Sequence, residues 1–255
     1  MAIYIFQVGC TNMRRFFFVL QGIIPQETIT WDVVSEEKYL GPGVQKASFL
    51  NNSLTDTERI HKIKTYYKFI IVRNPLERLL SAFLNKIAPP LDFERLDTFE
   101  MHKRSILEKY RPQVLERWSK DNGSFELQVS FNDYVRWIID SDNALLNEHF
   151  APIIEDAHPC RIRYHFYGNF KMYSSDVAHI MQKLNVSAEY FWDKSVHWPG
   201  HETKDYLQHY YSQLTTELRE HLFEDLYQEL DFYYHLYPEE KASHVKLLDV
   251  ASLVT

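Results

Sequence analysis

Two stretches of the chain carry groups suited to binding phosphate, and the first spans residues 3–15. It passes from an apolar run through Gly9 to hydroxyl, amide and guanidinium groups. A turn at Gly9 lets the backbone approach an anion closely, and the N–H groups of Cys10 to Met13 would open the following helix toward that anion. The pattern predicts a strand, a phosphate-binding loop and a helix. Alone it is a weak signal, because it lacks the Gly-Lys-Ser/Thr ending of nucleoside triphosphate loops.

The second stretch places Arg73 and Ser81 eight residues apart across a predicted strand-to-helix junction. A fork of guanidinium donors together with a hydroxyl suits a dianionic phosphate. Arg73 at the carboxyl end of a strand would face the crevice where open α/β sheets bind ligands, with Ser81 two helical turns further on. In isolation, the stretch is equally compatible with an Arg73 that pairs with a carboxylate and a Ser81 that only packs.

The elements that position these stretches alternate between strands and helices. Residues 67–72 are β-branched and aromatic, as in a buried parallel strand, and Pro75 then sets the first turn of a helix. Residues 56–66 predict a helix capped by Thr55 or Asp56, and residues 161–168 alternate as a strand does. The expected fold class is α/β: a P-loop-like central parallel sheet flanked by helices on both faces.

Further helices are expected over residues 93–118 and 131–139, from Ser174 or Ser175 through Leu184, and over 203–235, with residues 149–159 irregular. The basic residues of 103–120 favour a solvated helix face over a dedicated anion patch, because Glu108 and Glu116 are interspersed.

Composition indicates one ordered globular domain over residues 1–255, with 17 Tyr, 17 Phe and 5 Trp. The net charge of −7 argues against a nucleic-acid binder. No apolar run reaches the length of a membrane span or signal peptide, so no membrane contact is expected of the chain as written. The two cysteines, Cys10 and Cys160, predict neither a disulfide framework nor a metal cluster. Asn51, Asn122 and Asn185 begin glycosylation sequons, which would be used only in the secretory pathway.

Four blocks of sequence together resemble one enzyme family. The first two are Val8-Gly9-Cys10-Thr11-Asn12 and Arg73-Asn74-Pro75-x-x-Arg78-Leu79-x-Ser81-Ala82-Phe83. The third runs from His149-Phe150-x-Pro152 through Pro159-Cys160 to Tyr164-x-Phe166-x-Gly168-x-Phe170, and the fourth comprises Tyr210-Tyr211 and Leu230-Asp231-Phe232. In order and spacing they resemble the Golgi carbohydrate sulfotransferases, in the branch of the chondroitin and dermatan 4-O-sulfotransferases and the HNK-1 sulfotransferase.

The resemblance implies transfer of a sulfuryl group from 3′-phosphoadenosine 5′-phosphosulfate (PAPS) to a glycan hydroxyl, possible acceptors being chondroitin or dermatan, without a metal. The implied location is the Golgi lumen or membrane, so a membrane anchor and stem preceding this chain are expected in a longer form. The implied cofactor-binding residues, with the 5′-phosphosulfate on the first motif and the 3′-phosphate on Arg73 and Ser81, are Val8, Gly9, Cys10, Thr11, Asn12, Met13, Arg73, Asn74, Pro75, Arg78 and Ser81.

A catalytic base must take the proton of the sugar hydroxyl, and His149 is the hypothesis for it. Histidine suits proton removal near neutral pH, and His149 lies in the matching block that follows the cofactor motifs. The alternatives that the sequence leaves open are His61, His158, His165, His197 and the adjacent Glu148.

The sequence departs from the family pattern at the position of a lysine expected to contact the phosphosulfate, which is Gln7 here. Gln7 cannot neutralise charge, and Arg14 or Arg15 would have to compensate. Met13 replaces a tryptophan, and Ala157 replaces the cysteine that neighbours Cys160. A second hypothesis is therefore an impaired sulfotransferase-like protein that binds cofactor or glycan without turnover. A P-loop kinase is a more remote hypothesis, since it would need metal-binding acidic residues after a strand, and the sequence shows no convincing set of them. Arg161, Arg163 and the basic residues of 103–120 are candidates to line an acceptor groove.

Overall fold

A short parallel sheet contains the strand that precedes Arg73. The computed structural model describes residues 2–3, 13, 55–88, 99–121, 127–142, 149–186 and 204–242. Among these, strands β1 (Ala2–Ile3), β2 (Tyr67–Val72) and β3 (Phe166–Asn169) pair in parallel in the order β1-β2-β3. The sheet and the helices described next confirm a mixed α/β chain with a small parallel sheet.

The helices in chain order are α1 (Asp56–Thr65), α2 (Pro75–Ala82), α3 (Glu100–Tyr110), α4 (Pro112–Lys120), α5 (Phe131–Ile139), α6 (Ile153–Ala157), α7 (Tyr173–Lys183), α8 (Lys204–Tyr211), α9 (Thr216–Asp225) and α10 (Tyr227–Leu236). A π-helical turn (Phe83–Ile87) continues α2, and a 3₁₀ turn (Phe170–Met172) precedes α7. The chain forms two compact units, one of residues 1–73 and 156–200 and the other of residues 74–155 and 201–255. A single domain over 1–255 stays a prediction.

The first unit is built on β2, whose residues Phe69–Val72 are buried. Such a continuous apolar run is typical of a parallel strand covered on both faces. Phe69 and Ile71, which share one face by the two-residue period, pack in a core with Met13 and with one side of α7. The side chains from α7 are Tyr173, Val177, Ile180 and Met181. Helix α7 therefore packs on this face of the sheet.

The predicted strand and the two helices around it are confirmed. Helix α1 begins after Thr55, whose hydroxyl accepts from the backbone N–H of Glu58, while the Glu58 carboxylate accepts from the backbone N–H of Thr55 at 2.8 Å. This reciprocal arrangement is a capping box. Pro75 is the first residue of α2, where its missing N–H leaves no bond unmade.

Several boundaries differ from the sequence prediction. The helix expected over 93–118 is two helices, α3 and α4, because Pro112 lacks an N–H and disfavours helical geometry at Arg111, whose φ is −144°. The expected irregular segment 149–159 contains the short helix α6. The predicted final helical region of residues 203–235 is divided into α8, α9 and α10.

The prediction of a strand over residues 161–168 is also wrong in its first half. Residues 158–162 form a turn, in which the N–H of Arg161 donates to the carbonyl of His158 at 2.8 Å. Residues 163–165 are irregular, and strand β3 begins only at Phe166. Ser174 and Ser175 are not caps but lie inside α7. The Asn169 side chain instead accepts from the N–H of Lys171 and starts the 3₁₀ turn that leads into α7.

Gly168 in β3 is required for space. A Cβ at this position would come within 3.0 Å of both Asp176 Oδ2 and Phe166 Cε1. The same Asp176 oxygen accepts from the backbone N–H of Asn169 at 2.7 Å, so the first turn of α7 is held close to the end of the strand. A side chain at residue 168 would push the two apart.

We therefore expect Gly168→Ala to lower the free energy of unfolding by about 1–3 kcal/mol, the typical cost of overpacking. Urea denaturation measures the change. Ser174→Ala, on the exposed side of α7, is the matched control and should be close to neutral. Equal stability of Gly168→Ala and the parent chain would contradict the proposed close approach.

Candidate functional site

The first predicted phosphate loop is represented by one described residue. Gln7, Val8, Gly9, Cys10, Thr11, Asn12, Arg14 and Arg15 lie outside the described residues. Met13 is 1% exposed, and its side chain packs against Phe69 and Ile71 in the core of the first unit. Its side chain therefore serves the fold, and only its backbone is left to contact an anion.

Arg73 directly follows β2 at the carboxyl edge of the sheet. The register pairs Val72 with Asn169, so the residues that follow these two positions leave the same edge. The Cζ atom of Arg73 lies 4.7 Å from the centroid of the Phe170 ring. Arg73 is partly exposed, at the end of the sheet where open α/β folds bind ligands.

Asn74 and Pro75 begin α2 and are both buried. Asn74 Oδ1 accepts from the N–H groups of Leu76 at 2.9 Å and Glu77 at 3.2 Å, which is the action of a helix N-cap. The Asn74 side chain also hydrogen bonds to the Tyr234 hydroxyl, and burial raises the pKa of Tyr234 to about 12. These contacts give Asn74 a role in fixing the start of the helix.

Arg78 is buried against a carboxylate. Its Nε and Nη2 atoms donate to the two carboxylate oxygens of Glu229 at 3.1 and 2.9 Å, and the side chains are 4% and 1% exposed. This two-pronged ion pair ties α2 to α10 within the second unit. At this exposure Arg78 acts by holding the helix rather than by meeting a ligand from solvent.

Two tyrosine hydroxyls also bind α2. Tyr211 donates to the carbonyl of Leu76 at 3.0 Å and Tyr134 to that of Leu79 at 3.3 Å. Burial raises the pKa of both hydroxyls, so they remain protonated donors. Helix α2 is thus fixed by contacts from α5, α8 and α10.

Ser81 occupies the last turn of α2 and is partly exposed. Its Oγ accepts a long hydrogen bond from Asn85 Nδ2 at 3.4 Å, and the same amide donates to the Ser81 carbonyl at 2.8 Å. Accepting from Asn85 leaves the hydroxyl proton of Ser81 as a donor. The π-helical turn that follows, Phe83–Ile87, is a feature often found at functional sites.

His149 lies in an aromatic cluster of the second unit. Its ring meets that of Phe99 edge-on at 5.8 Å, and Phe99 also contacts the rings of His102 and Phe150. Burial lowers the pKa of His102, which therefore favours the neutral form. His149 is only partly buried, which keeps it accessible to a substrate.

The other candidate bases have different surroundings. His61 is exposed on α1, and His158 sits in a turn with a φ of 44°. The ring atom Nδ1 of His165 accepts from the backbone N–H of Lys68 at 3.0 Å, and the backbone N–H of His165 donates to the Lys68 carbonyl at 2.8 Å. His165 thereby extends the pairing of β2 and β3. His197 and Glu148 lie outside the described residues.

The basic residues of α3 and α4 are mostly paired with acids. Arg104 bonds to Glu100 and lies over the ring of Trp118 at 4.2 Å. Lys109 pairs with Asp140 at 2.9 Å, Arg111 with Asp133 at 2.6 Å and Arg117 with Asp121 at 3.7 Å. These pairs agree with the solvated helix face favoured by the sequence, but Lys103 departs from it because its side chain is buried. In the first unit, Arg161 and Arg163 are exposed, and Cys160 is an exposed free thiol.

Neither cavities nor metal ligands mark a second site among the described residues. A cavity of about 270 Å³ between α5 and α9 is lined by Arg136, Asp140, Thr215 and His221, and none of these belongs to the motifs. No His, Cys, Asp or Glu group in the described ranges is arranged to hold a metal ion. No helix within those ranges is long and apolar enough to cross a membrane.

Comparison with known proteins assigns the family. The family model described as "Sulfotransferase family" matches residues 1–238. The chain belongs to the sulfotransferase family. No solved structure matches it significantly.

Several curated relatives of this chain are named carbohydrate sulfotransferases. Carbohydrate sulfotransferase 14 of Danio rerio is 28% identical over 82% of this chain and 52% of its own length. Carbohydrate sulfotransferase 11 of Mus musculus is 28% identical over 72% of this chain and 50% of its own length. Carbohydrate sulfotransferase 10 of Pongo abelii is 29% identical over 71% of this chain and 48% of its own length. The chain thus spans about half the length of these relatives.

The sequence indicated Arg78 and Arg73 as site residues. It did not predict that Arg78 pairs with Glu229 or that Arg73 contacts Phe170. Glu229 immediately precedes the Leu230-Asp231-Phe232 block, and Phe170 ends the third block, so both lay within or beside segments already singled out. Their contacts were not predictable from spacing, since 151 residues separate Arg78 from Glu229.

The Arg78–Glu229 pair predicts that the stability losses of variants at the two positions are strongly non-additive. We expect Glu229→Leu or Arg78→Met alone to lower the free energy of unfolding by about 3–5 kcal/mol, because each strands a buried charge. The double variant should lose less than either single one, because no charge remains. Chemical denaturation of the four proteins measures this. If the double variant lost the sum of the two single losses, the two side chains would not be energetically coupled, and the prediction would be wrong.

Proposed function

We propose that this chain transfers a sulfuryl group from PAPS to a hydroxyl of a glycan, with acceptors of the chondroitin or dermatan type. The observation that carries the proposal is the position of Arg73 at the carboxyl edge of the sheet, within the range that the family model matches. The names of the relatives support a carbohydrate acceptor. Membership in this family also disfavours the kinase alternative.

The proposed donor site divides between the two motifs. Val8 to Met13 would bind the 5′-phosphosulfate through backbone N–H groups, and Arg73 with Ser81 would bind the 3′-phosphate. A guanidinium and a hydroxyl proton are both donors of the kind that a phosphate dianion accepts. Asn74, Pro75 and Arg78 complete the motif by fixing α2, as their N-cap, first-turn and ion-pair contacts support.

The proposed reaction is an in-line displacement at sulfur. The sugar oxygen forms a bond to sulfur while the bond from sulfur to the bridging phosphate oxygen breaks, and 3′,5′-bisphosphoadenosine leaves. His149 would accept the hydroxyl proton, because it is partly exposed and an imidazole can act as a general base. Positive charge beside the departing phosphate would stabilise the transition state.

The wider architecture belongs to the same proposal. It comprises one sulfotransferase domain over residues 1–255 with a P-loop-like central sheet covered by helices on both faces, acting in the Golgi lumen. Exposed Arg161 and Arg163 are candidates to contact an acidic glycan. The second candidate is an impaired protein that binds cofactor or glycan without turnover, and Gln7 at the position of the family's lysine is the observation that favours it.

Transfer of labelled sulfate from PAPS to desulfated chondroitin or dermatan tests the proposal. We expect measurable transfer by the chain, and a rate about 10²–10³-fold higher in Gln7→Lys, because the new ammonium would neutralise developing charge. Gln128→Lys adds the same charge at an exposed position and is the matched control. Transfer by Gln7→Lys but not by the parent chain would favour the hypothesis of an impaired protein. Transfer by neither protein would contradict the proposed enzymatic activity.

His149 is tested separately from donor binding. His149→Ala should abolish turnover while the Kd for 3′,5′-bisphosphoadenosine stays unchanged, since a base acts on the acceptor and not on the donor. His61→Ala, on the exposed side of α1, serves as the control. Thermal unfolding checks that the aromatic cluster survives the change. Unchanged turnover would remove His149 from the site.

A further inference from the structure

Phe170 is the aromatic neighbour of Arg73 in the first unit. Strand β3 ends at Asn169, the register partner of Val72, so the next residue on each strand leaves the same edge of the sheet. The guanidinium carbon of Arg73 lies 4.7 Å from the Phe170 ring centroid, within the range of a cation–π contact. The two side chains are therefore in contact where β2 and β3 end.

The Phe170 ring is held in place by its surroundings. Asn169 Oδ1 accepts from the N–H of Lys171 at 2.9 Å, and the N–H of Asn169 donates to Asp176 at 2.7 Å, so the backbone on both sides of Phe170 is fixed. The ring also lies 5.4 Å from that of Tyr173 and packs against the core of the first unit. Phe170 is thus a fixed surface rather than a mobile side chain.

A fixed ring face restricts the guanidinium that rests on it. A planar guanidinium stacked on an aromatic ring can still donate hydrogen bonds from its N–H edge, which an ammonium group cannot do equally well. Fewer rotamers of Arg73 then need to be given up when a phosphate binds. The contact would raise affinity for the group that Arg73 recognises and for no other part of the ligand.

We propose that Phe170 is a positioning residue for recognition of the donor's 3′-phosphate, acting through Arg73. The inference rests on the proposed function, in which Arg73 binds that phosphate. Phe170 itself touches no reacting atom. Its effect should therefore appear only with ligands that carry a 3′-phosphate.

Calorimetric titration with 3′,5′-bisphosphoadenosine and with adenosine 5′-monophosphate, which lacks the 3′-phosphate, measures this. In Phe170→Leu we expect the affinity ratio of the two ligands to fall roughly two- to thirtyfold, the range of a cation–π contact. Phe170→Tyr keeps a ring and should retain the ratio. Tyr67→Leu, another partly buried ring packed on the same core, is the matched control and should leave the ratio unchanged.

A double-mutant cycle checks that the effect passes through Arg73. In an Arg73→Ala background, Phe170→Leu should produce no further change in the ratio. An additional loss in that background would overturn the inference. Equal loss of affinity for both ligands in Phe170→Leu would also overturn it, because that pattern reports a structural role alone.

The test separates this inference from the proposed function. If the parent chain shows no preference for the ligand with the 3′-phosphate, the proposed donor site fails and the inference fails with it. If the preference is present and Phe170→Leu keeps it, the donor site stands and the inference alone is wrong. A preference that falls in Phe170→Leu and returns in Phe170→Tyr supports both.

Discussion

The buried ion pair between Arg78 and Glu229 is the contact on which the geometry of the second unit depends most. Removing two charges from water is costly, and their attraction offsets that cost only when the hydrogen bonds are well formed. Here the guanidinium and the carboxylate meet through two bonds of 3.1 and 2.9 Å. Because the pair is directional, it fixes both the rotation and the axial position of α2. An apolar contact of similar size would tolerate sliding.

The tyrosine contacts on the same helix follow the same logic. Tyr134 and Tyr211 each direct a protonated hydroxyl at a carbonyl of α2, and both rings are buried. Their apolar rings contribute core volume while the hydroxyls satisfy specific atoms. Ser81, at the end of this helix, therefore lies on an element whose position is fixed, as the proposed role of its hydroxyl in binding phosphate would require.

The sequence predicted the elements that depend on neighbouring residues and missed those that depend on contacts between residues far apart in the chain. Strand β2 follows from a β-branched run, and the start of α2 follows from Pro75 with a capping Asn74. The alternation of residues 161–165 predicts a strand there, but only His165 continues the pairing of β3 with β2, through its contacts with Lys68. The family blocks indicated Arg73 and Arg78 alike, yet sequence spacing cannot say that one meets a ring and the other a carboxylate.

The two arginines of the second motif have different surroundings. Arg78 is 4% exposed and its charge is balanced by Glu229, so a phosphate there would have to displace a formed ion pair in a buried setting. Arg73 is partly exposed and lies over the uncharged ring of Phe170, which restricts the orientation of its guanidinium. A guanidinium suits both positions because it is planar and always charged. The side chain beside each arginine therefore differs in kind: a carboxylate forms an ion pair with Arg78, and an aromatic ring contacts Arg73.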